Sequence, residues 1–143
     1  MTIIYKALTL WQPWASLIIW GEKEIETRGW QRPYRGLLAI HAAKTPPTLD
    51  LMSDTARRNA KAAMTQHNVT LNALPLGAVL GIVELRVIRP IPSNAKDLIS
   101  PKEFHFGDYT PGRYAWFVKV VEVFPRPIPA KGMQTLWDWS RSA

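Results

Sequence analysis

The sequence of 143 residues contains no cysteine, only three histidines and no long apolar run. The lack of cysteine excludes disulfides and thiolate zinc sites, and it suits a reducing compartment. The histidines (His41, His67 and His105) are not spaced as metal ligands usually are, so we expect no metal. The apolar stretch 14–20 is about one-third of the roughly 20 residues that a membrane span requires. Because no signal peptide is visible, we expect a cytoplasmic protein that is not inserted in a membrane.

Acidic residues are scarce relative to basic ones. The chain has 18 Lys and Arg residues against 11 Asp and Glu residues, a net charge of +7 and a pI near 10.0. This balance favours polyanionic partners such as nucleic acids, although a merely soluble basic surface has the same composition. The length is that of one domain with a substantial core, so residues 1–143 are interpreted as a single domain.

Sequence motifs of cofactor chemistry are also missing. We find no glycine-rich loop that would cradle a phosphate, no Ser-His-Asp order and no carboxylate cluster with metal-ligand spacing. We therefore expect no cofactor, and we expect any hydrolysis to be independent of metal.

Hydrophobic periodicity predicts five or six strands and two main helices. The predicted strands cover residues 6–10, 23–30, 36–43, 76–87 and 114–124, and the predicted helices cover residues 13–21 and 48–67. The second helix has an apolar stripe that we expect to be buried, consisting of Leu49, Met52, Ala56, Ala60, Ala63 and Met64. The tail holding Leu136, Trp137 and Trp139 is expected to fold back over the sheet. This pattern favours an α+β fold, a small and mainly antiparallel barrel with helices packed on it.

Two further features of the chain concern its connections. Gly77 and Gly81 lie inside a predicted strand, which indicates a bend or a close approach of another chain segment. The loop over residues 93–112 is longer than most loops in compact domains, which is typical of a functional segment or a lid.

Residues 9–44 combine aromatic and charged side chains. They contain four of the seven tryptophans, namely Trp11, Trp14, Trp20 and Trp30, beside the cluster Lys23, Glu24, Glu26, Thr27 and Arg28. Large rings beside cations can stack flat groups and neutralise phosphates, which favours a nucleic-acid or nucleotide ligand. In the predicted strand, alternation places Glu26, Arg28 and Trp30 on one face and Thr27 on the other.

The same segment carries a family resemblance. Gly21, Lys23, Glu26 and Arg28 match a G-x-K-x-x-E-x-R pattern, and it is accompanied in order by ALTLWQPWASLI, RGLLAIHAAK, LPLGAVLGIVEL and FGDYTPGRYAW. On these blocks the chain resembles the ASCH domain (activating signal cointegrator homology) of the PUA-like superfamily. The resemblance implies a PUA-like pseudo-barrel with a basic cleft between helix and sheet, and an RNA-related function. Its members include nucleic-acid binders, ribonucleases and amidohydrolases that remove acetyl from N4-acetylcytidine.

One position departs from the amidohydrolases that this motif resembles. They carry a threonine, their proposed nucleophile, where this chain has Glu26, whereas Lys23 is retained. Thr27 is one position away and therefore faces the other side of the strand. The acetyl-removing mechanism is thus not expected to transfer intact.

Three residues are candidates for catalysis. Lys23 follows the first predicted helix, where it can bind phosphate as a point charge or, if desolvated, act as a base. Glu26 can orient Lys23 or a ligand hydroxyl. Asp108 can take part in acid–base chemistry, or it can simply cap a turn.

The candidates for nucleic-acid binding are Lys23, Arg28, Trp30, Lys44, Tyr109 and Arg113. Lysine and arginine side chains at these positions can contact phosphate, and the two rings can stack bases at about 1–3 kcal/mol per base. Structural roles are open alternatives, because Glu26 and Arg28 can form a framework ion pair and each tryptophan can pack in the core. His41, inside an apolar strand, is interpreted as a hydrogen-bonded core residue.

These observations give one leading hypothesis and two alternatives. The leading one is binding of RNA, with DNA as a second possibility, in a basic, aromatic-lined cleft. The first alternative is a metal-independent hydrolase in the same cleft, either a ribonuclease or an enzyme similar to N4-acetylcytidine amidohydrolases. The second is a protein-interaction module that uses the tryptophan-rich surface.

Overall fold

The computed structural model describes residues 1–142 and folds them around one six-stranded sheet. The strands are β1 (Thr2–Leu10), β2 (Ile25–Arg28), β3 (Gly36–Ala42), β4 (Ala78–Pro90), β5 (Tyr114–Pro129) and β6 (Leu136–Ser142). Their order is β2-β5-β4-β3-β1-β6, and the neighbouring strands are antiparallel except for the parallel pair β1–β3. The predicted α+β class and the mainly antiparallel sheet are confirmed.

The helices are short apart from one. They are α1 (Trp14–Ile19), α2 (Asp54–Gln66), α3 (Ala95–Leu98) and α4 (Pro101–His105), with a 3₁₀ turn at Leu71–Ala73. Among residues 1–142, none of these helices has the length and apolar character needed to cross a membrane.

Side chains draw together strands that are not hydrogen-bonded neighbours. Both terminal nitrogens of Arg141 in β6 donate to the carboxylate of Glu122 in β5 at 2.9 Å, and the Arg141 guanidinium lies 4.5 Å from the ring centre of Phe124. Arg28 in β2 donates through Nη2 to the carbonyl of Thr9 in β1 at 3.0 Å. The sheet therefore curls as a pseudo-barrel does, with side chains rather than a continuous ladder bringing distant strands into contact.

Helix α1 covers one face of this sheet, and α2 packs against α1 and α4. Ile18 of α1 packs in a cluster with Leu38, Ile40 and Trp116, all almost completely buried. The predicted apolar stripe is buried as expected: Ala56, Ala60, Ala63 and Met64 of α2 form a second cluster with Leu17 of α1, and Leu49 and Met52 join it from the segment before the helix.

The boundaries of α2 differ from the prediction at its start. The helix begins at Asp54 rather than near residue 48, and the Ser53 hydroxyl accepts a hydrogen bond from the Ala56 N–H at 3.2 Å. An N-cap serine satisfies a donor that the first turn leaves free, so it fixes the start of the helix.

Strand β5 runs beyond the predicted end at residue 124 and includes Pro125, Pro127 and Pro129. Strand β2 pairs with Tyr114–Phe117, and in the part of the chain that the structure describes no strand pairs with the later part of β5 on that side. Alternate residues direct their N–H groups to the same side of a strand. Because proline has no N–H group, the three prolines leave three donors missing along this one edge of β5. Proline is tolerated in an edge strand for this reason.

Two elements of the structure were not predicted as regular structure. The 93–112 segment contains α3 and α4, and α4 has Ser100 as its N-cap followed by Pro101. The tail that was expected to fold back does so as β6, which pairs with β1 from Thr2 to Leu8.

The predicted close approach at Gly81 is confirmed. A Cβ atom at this position in β4 would lie 2.3 Å from the carbonyl oxygen of Glu122 and 3.1 Å from Cδ1 of Ile19. Here β5 has an irregular register against β4, so its backbone passes directly over the glycine.

Replacement of Gly81 by alanine is expected to lower the free energy of unfolding by about 1–3 kcal/mol, because the facing group is backbone and cannot rotate away. Urea denaturation measures this change. Gly29→Ala is the matched control, since a Cβ there would meet only Nη1 of Arg113 at an ordinary 3.6 Å. Equal losses in the two variants would contradict the close packing at Gly81.

Candidate functional site

A cleft opens between the start of α1, strand β2 and the segment that precedes β5. It has two adjoining chambers of about 370 Å³ and 440 Å³, and both are lined by Trp14, Glu26 and Thr27. We call it the Glu26 cleft. The smaller chamber is also lined by Trp11, Arg28, Trp30 and Arg113, and the larger one by Ser53, His105 and Asp108.

The start of α1 is held in place by Gln12. Its buried amide donates to the Ser16 hydroxyl at 2.8 Å and to the Pro75 carbonyl at 2.9 Å, and it accepts from the Ser16 N–H at 3.0 Å. Trp11, the preceding residue, is left 58% exposed at the rim of the cleft. Trp14 turns inward and meets Phe106 edge-on with ring centres 6.0 Å apart.

The ammonium of Lys23 lies beneath the cleft and not in it. The backbone N–H of Lys23 donates to the carbonyl of Leu17 at 3.1 Å, which ties this residue to the end of α1. The side chain is 1% exposed, donates to the carbonyl of Ile25 and has its Nζ 3.7 Å from Oε1 of Glu26. A buried ammonium needs such partners to offset its lost hydration. The structure thus differs from the expected direct contact between Lys23 and phosphate.

Glu26 forms the floor of the cleft above Lys23. Its side chain is 13% exposed, and its second oxygen, Oε2, lies 3.0 Å from Nε of Arg28. This N–H is not aligned with the carboxylate, so the contact is an ion pair without a regular hydrogen bond. Glu26 is therefore an acceptor fixed between two cations while still reaching the cleft.

Trp30 is half-buried at the edge of the smaller chamber. Its ring meets Trp116 edge-on at 5.0 Å, and the guanidinium of Arg32 lies 4.6 Å from the ring centre. A ligand base that stacks on Trp30 must share this ring with Arg32, whereas Trp11 has an open ring.

Asp108 is held as a turn residue. Its Oδ1 accepts from the hydroxyl of Thr110 at 2.5 Å and from the N–H of Thr110 at 3.1 Å. These hydrogen bonds, the hydroxyl one foremost, lower the pKa of Asp108. The capping role that the sequence left open is present, and the carboxylate also lines the larger chamber.

Tyr109 and Arg113 are anchored on either side of this turn. The Tyr109 ring is 7% exposed and stacked on Phe104 at 5.4 Å, and burial raises the pKa of its hydroxyl well above the usual value. Stacking of a ligand base on Tyr109 would require Phe104 to move. Arg113 donates through Nη2 to the carbonyl of Thr27 at 3.2 Å and lines the smaller chamber.

Sequence reasoning missed Glu103 of α4. Its carboxyl accepts a hydrogen bond from the N–H of Glu24, and burial raises its pKa. Among residues 1–142 its buried Oε2 has no hydrogen-bond partner. The bond to Glu24 places Glu103 beside the residue that follows Lys23. The available signal was the spacing Ser100 to Glu103, a capping-box pattern that marks a helix start.

Lys44 lies outside the Glu26 cleft. It lines a second cavity of about 870 Å³ together with Thr9, His41, Gly77 and residues 129–134. We call this the Lys44 cavity. The structure therefore brings together all the predicted site residues except Lys44, with Lys23 and Tyr109 buried behind the cleft surface.

His41 is a buried, fully hydrogen-bonded residue at the base of the Lys44 cavity. Its Nε2 lies 2.7 Å from the carbonyl of Ala130, which can only accept, so Nε2 carries the proton. Its Nδ1 then accepts from the hydroxyl of Thr9 at 3.1 Å, and Trp137 Nε1 donates to the same hydroxyl at 3.0 Å. The interpretation of His41 as a core histidine agrees with these contacts.

Comparison with known proteins identifies the family. The ASCH domain family matches residues 8–128. The chain belongs to the ASCH domain family. It is also 30% identical over 135 residues to activating signal cointegrator 1 of Homo sapiens and, equally, of Mus musculus.

That alignment covers 91% of this chain and 21% of either relative, so the ASCH chain spans about a fifth of the length of the curated relatives it matches. Among solved structures, a mutant of ZmASCH from Zymomonas mobilis has a TM-score of 0.47 and 16% sequence identity. The match covers 87% of this chain and 75% of that one.

Glu26→Gln in this ASCH domain is expected to lower the free energy of unfolding by about 3 kcal/mol, because it leaves the buried ammonium of Lys23 without its nearest carboxylate. Combining it with Lys23→Met should restore part of the loss, and chemical denaturation of the two single variants and the double variant gives the coupling energy. The exposed pair Glu84–Arg86, at 2.8 Å, is the control, and Glu84→Gln should change stability by less than about 0.5 kcal/mol. No recovery in the double variant would contradict the pairing.

The pH dependence of stability provides a test of His41. Burial lowers the pKa of His41 below its ordinary 6.5. As the pH falls, His41 therefore takes up a proton at a higher pH in the unfolded chain than in the folded chain. Stability is fully present above the unfolded pKa and is lost as pH falls through the folded pKa. The free energy of unfolding between about pH 7 and pH 5 should therefore fall less steeply in His41→Gln than in the parent protein. Identical slopes would argue against a buried neutral histidine.

Proposed function

We propose that this ASCH domain binds single-stranded nucleic acid, preferentially RNA, and that the Glu26 cleft receives a base. The observation that carries the proposal is the carboxylate of Glu26, fixed between Lys23 and Arg28 at the floor of a cleft whose rim exposes Trp11. Such a floor offers a directed acceptor, and the rim offers a flat apolar surface.

The charges that line the cleft favour a base over a phosphate. Arg28 and Arg113 are matched there by Glu26 and Asp108, so the lining is less basic than the sequence suggested. A carboxylate repels phosphate oxygens but accepts hydrogen bonds from the amino groups of bases, as glutamate does with the amino group of cytosine. The arginines supply donors for the carbonyl groups of the same base edge.

Stacking would supply much of the affinity. A base that stacks on an aromatic side chain contributes about 1–3 kcal/mol with little dependence on sequence. Trp11 is 58% exposed, whereas the other two tryptophans of the cleft, Trp14 and Trp30, are half-buried. The hydrogen bonds of the neighbouring Gln12 hold the start of α1 in place. The backbone that carries Trp11 therefore loses little conformational entropy when a ligand binds.

The preference for RNA rests on the acceptor at the floor of the cleft. The carboxylate of Glu26 lines the smaller chamber, and a ribose 2′-OH can donate to a group of this kind. The net charge of +7 supports association with either nucleic acid. DNA binding of equal strength is the competing outcome.

The hydrolase alternative has less support from the geometry. The hydroxyl oxygen of Thr27 accepts a hydrogen bond from the N–H of Asp108 at 3.1 Å, and the ammonium of Lys23 is already engaged. The lowered pKa of Asp108 also disfavours a role as a general acid. Binding is therefore proposed ahead of catalysis.

Titration of a fluorescein-labelled single-stranded RNA of about 12 nucleotides should show saturable binding by fluorescence anisotropy. Affinity should fall as salt rises from about 0.05 M to 0.2 M, because phosphates release counterions on binding. Trp11→Ala should weaken binding by about 1–3 kcal/mol with no change in the salt dependence, since it removes stacking and no charge.

The matched control removes another exposed apolar side chain, Leu98 of α3, which is 66% exposed and lines neither cavity. Leu98→Ala should bind RNA as the parent does. Affinity that ignores salt, or equal effects of the two substitutions, would contradict the proposal. Absence of any binding to RNA or DNA would also contradict the proposal and would favour a protein partner for the exposed Trp11.

A further inference from the structure

We infer that the Lys44 cavity binds phosphates of the same nucleic-acid chain whose base enters the Glu26 cleft. The ligand is then an oligonucleotide and not an isolated nucleoside. This inference rests on the proposed function. It concerns a different cavity, with a different charge and a different set of residues.

The lining of the Lys44 cavity is positively charged. It includes Lys44 and Lys131, whereas no aspartate or glutamate among residues 1–142 lines it. No carboxylate in that same range forms a salt bridge with either lysine. Two ammonium groups around one cavity without a carboxylate attract an anion, which is the opposite of the balanced lining of the Glu26 cleft.

Lys44 is positioned by its contact with Gly77. A Cβ atom at Gly77 would lie 3.0 Å from Cγ and 3.1 Å from Cε of Lys44, so the stem of the lysine runs directly across the glycine. Gly77 also has a φ of +62°, a conformation that side chains rarely adopt. The glycine therefore both allows the turn and gives the lysine its path along the cavity.

Lys131 is positioned by its neighbours on both sides. The N–H of Ala130 donates to the carbonyl of Gly77 at 3.0 Å, and the carbonyl of Ala130 accepts from His41 at 2.7 Å. On the other side, a Cβ at Gly132 would lie 2.5 Å from Cε1 of His41, so this backbone rests on the imidazole ring. The segment that carries Lys131 is thus fixed to the buried histidine before any ligand binds.

Thr9 connects the two sites, because it lines both the Lys44 cavity and the smaller chamber of the Glu26 cleft. Its carbonyl accepts from Arg28, whereas its hydroxyl belongs to the hydrogen-bonded group of His41 and Trp137. A single-stranded nucleic acid with one base above Glu26 can therefore pass over Thr9 and place its next phosphates between Lys44 and Lys131.

The test compares salt dependence among variants of the full chain, with the labelled RNA of about 12 nucleotides as the probe. The double variant Lys44→Gln/Lys131→Gln should bind about tenfold more weakly near 0.15 M salt. It should also reduce the slope of log affinity against log salt by about 1.4, since each contact to single-stranded phosphate contributes about 0.7.

The control is Lys61→Gln/Lys96→Gln, which removes the same charge from exposed positions that line neither cavity. It should keep the parent slope, and a circular dichroism spectrum like that of the parent should accompany every variant. If the parent binds RNA and Trp11→Ala weakens it, but both lysine pairs behave alike, the phosphate subsite is wrong and the base site stands. If the parent binds no RNA, both ideas fail.

Discussion

The ammonium of Lys23 is the charge around which the site is built. With a side chain 1% exposed, it has lost nearly all of its hydration, and the carbonyl of Ile25 and the carboxylate of Glu26 replace the water. That requirement holds Glu26 over the lysine, and the remaining carboxylate oxygen then takes Arg28 as its partner. Arg28 in turn donates to the carbonyl of Thr9 and so draws β2 toward β1. A single buried cation thus links the floor of the cleft to the curl of the sheet.

The separation of charge between the two cavities follows from this arrangement. Carboxylates that accompany buried and half-buried cations line the Glu26 cleft, whereas within residues 1–142 no carboxylate lines the Lys44 cavity. Bases carry hydrogen-bond donors and phosphates carry only acceptors, so in the proposed complex the two linings would contact different parts of one nucleotide chain. Thr9 is the structural boundary between them, since its backbone faces one site and its hydroxyl the other.

The position of Glu26 also bears on how members of one fold can differ in function. The amidohydrolases that this motif resembles carry a threonine at this position. In this chain a carboxylate occupies that place and forms an ion pair with Lys23 at 3.7 Å, while Thr27 is engaged with the N–H of Asp108. The glutamate at the floor of the cleft therefore makes the buried lysine its counterion in this chain.

The sequence by itself determined the α+β class, the stripe along α2, the close approach at Gly81 and the charged cluster at 23–28, because these depend on local periodicity and residue type. Its alternation also matches the burial along β2, where Ile25 and Thr27 are buried and Glu26 and Arg28 are half-buried. Only the tertiary structure decided that Lys23 is buried, that Glu103 bonds to the neighbouring Glu24 from far along the chain, and that Lys44 belongs to another cavity. Burial and charge pairing depend on which distant segments meet, and neither is encoded in the spacing of residues along one segment.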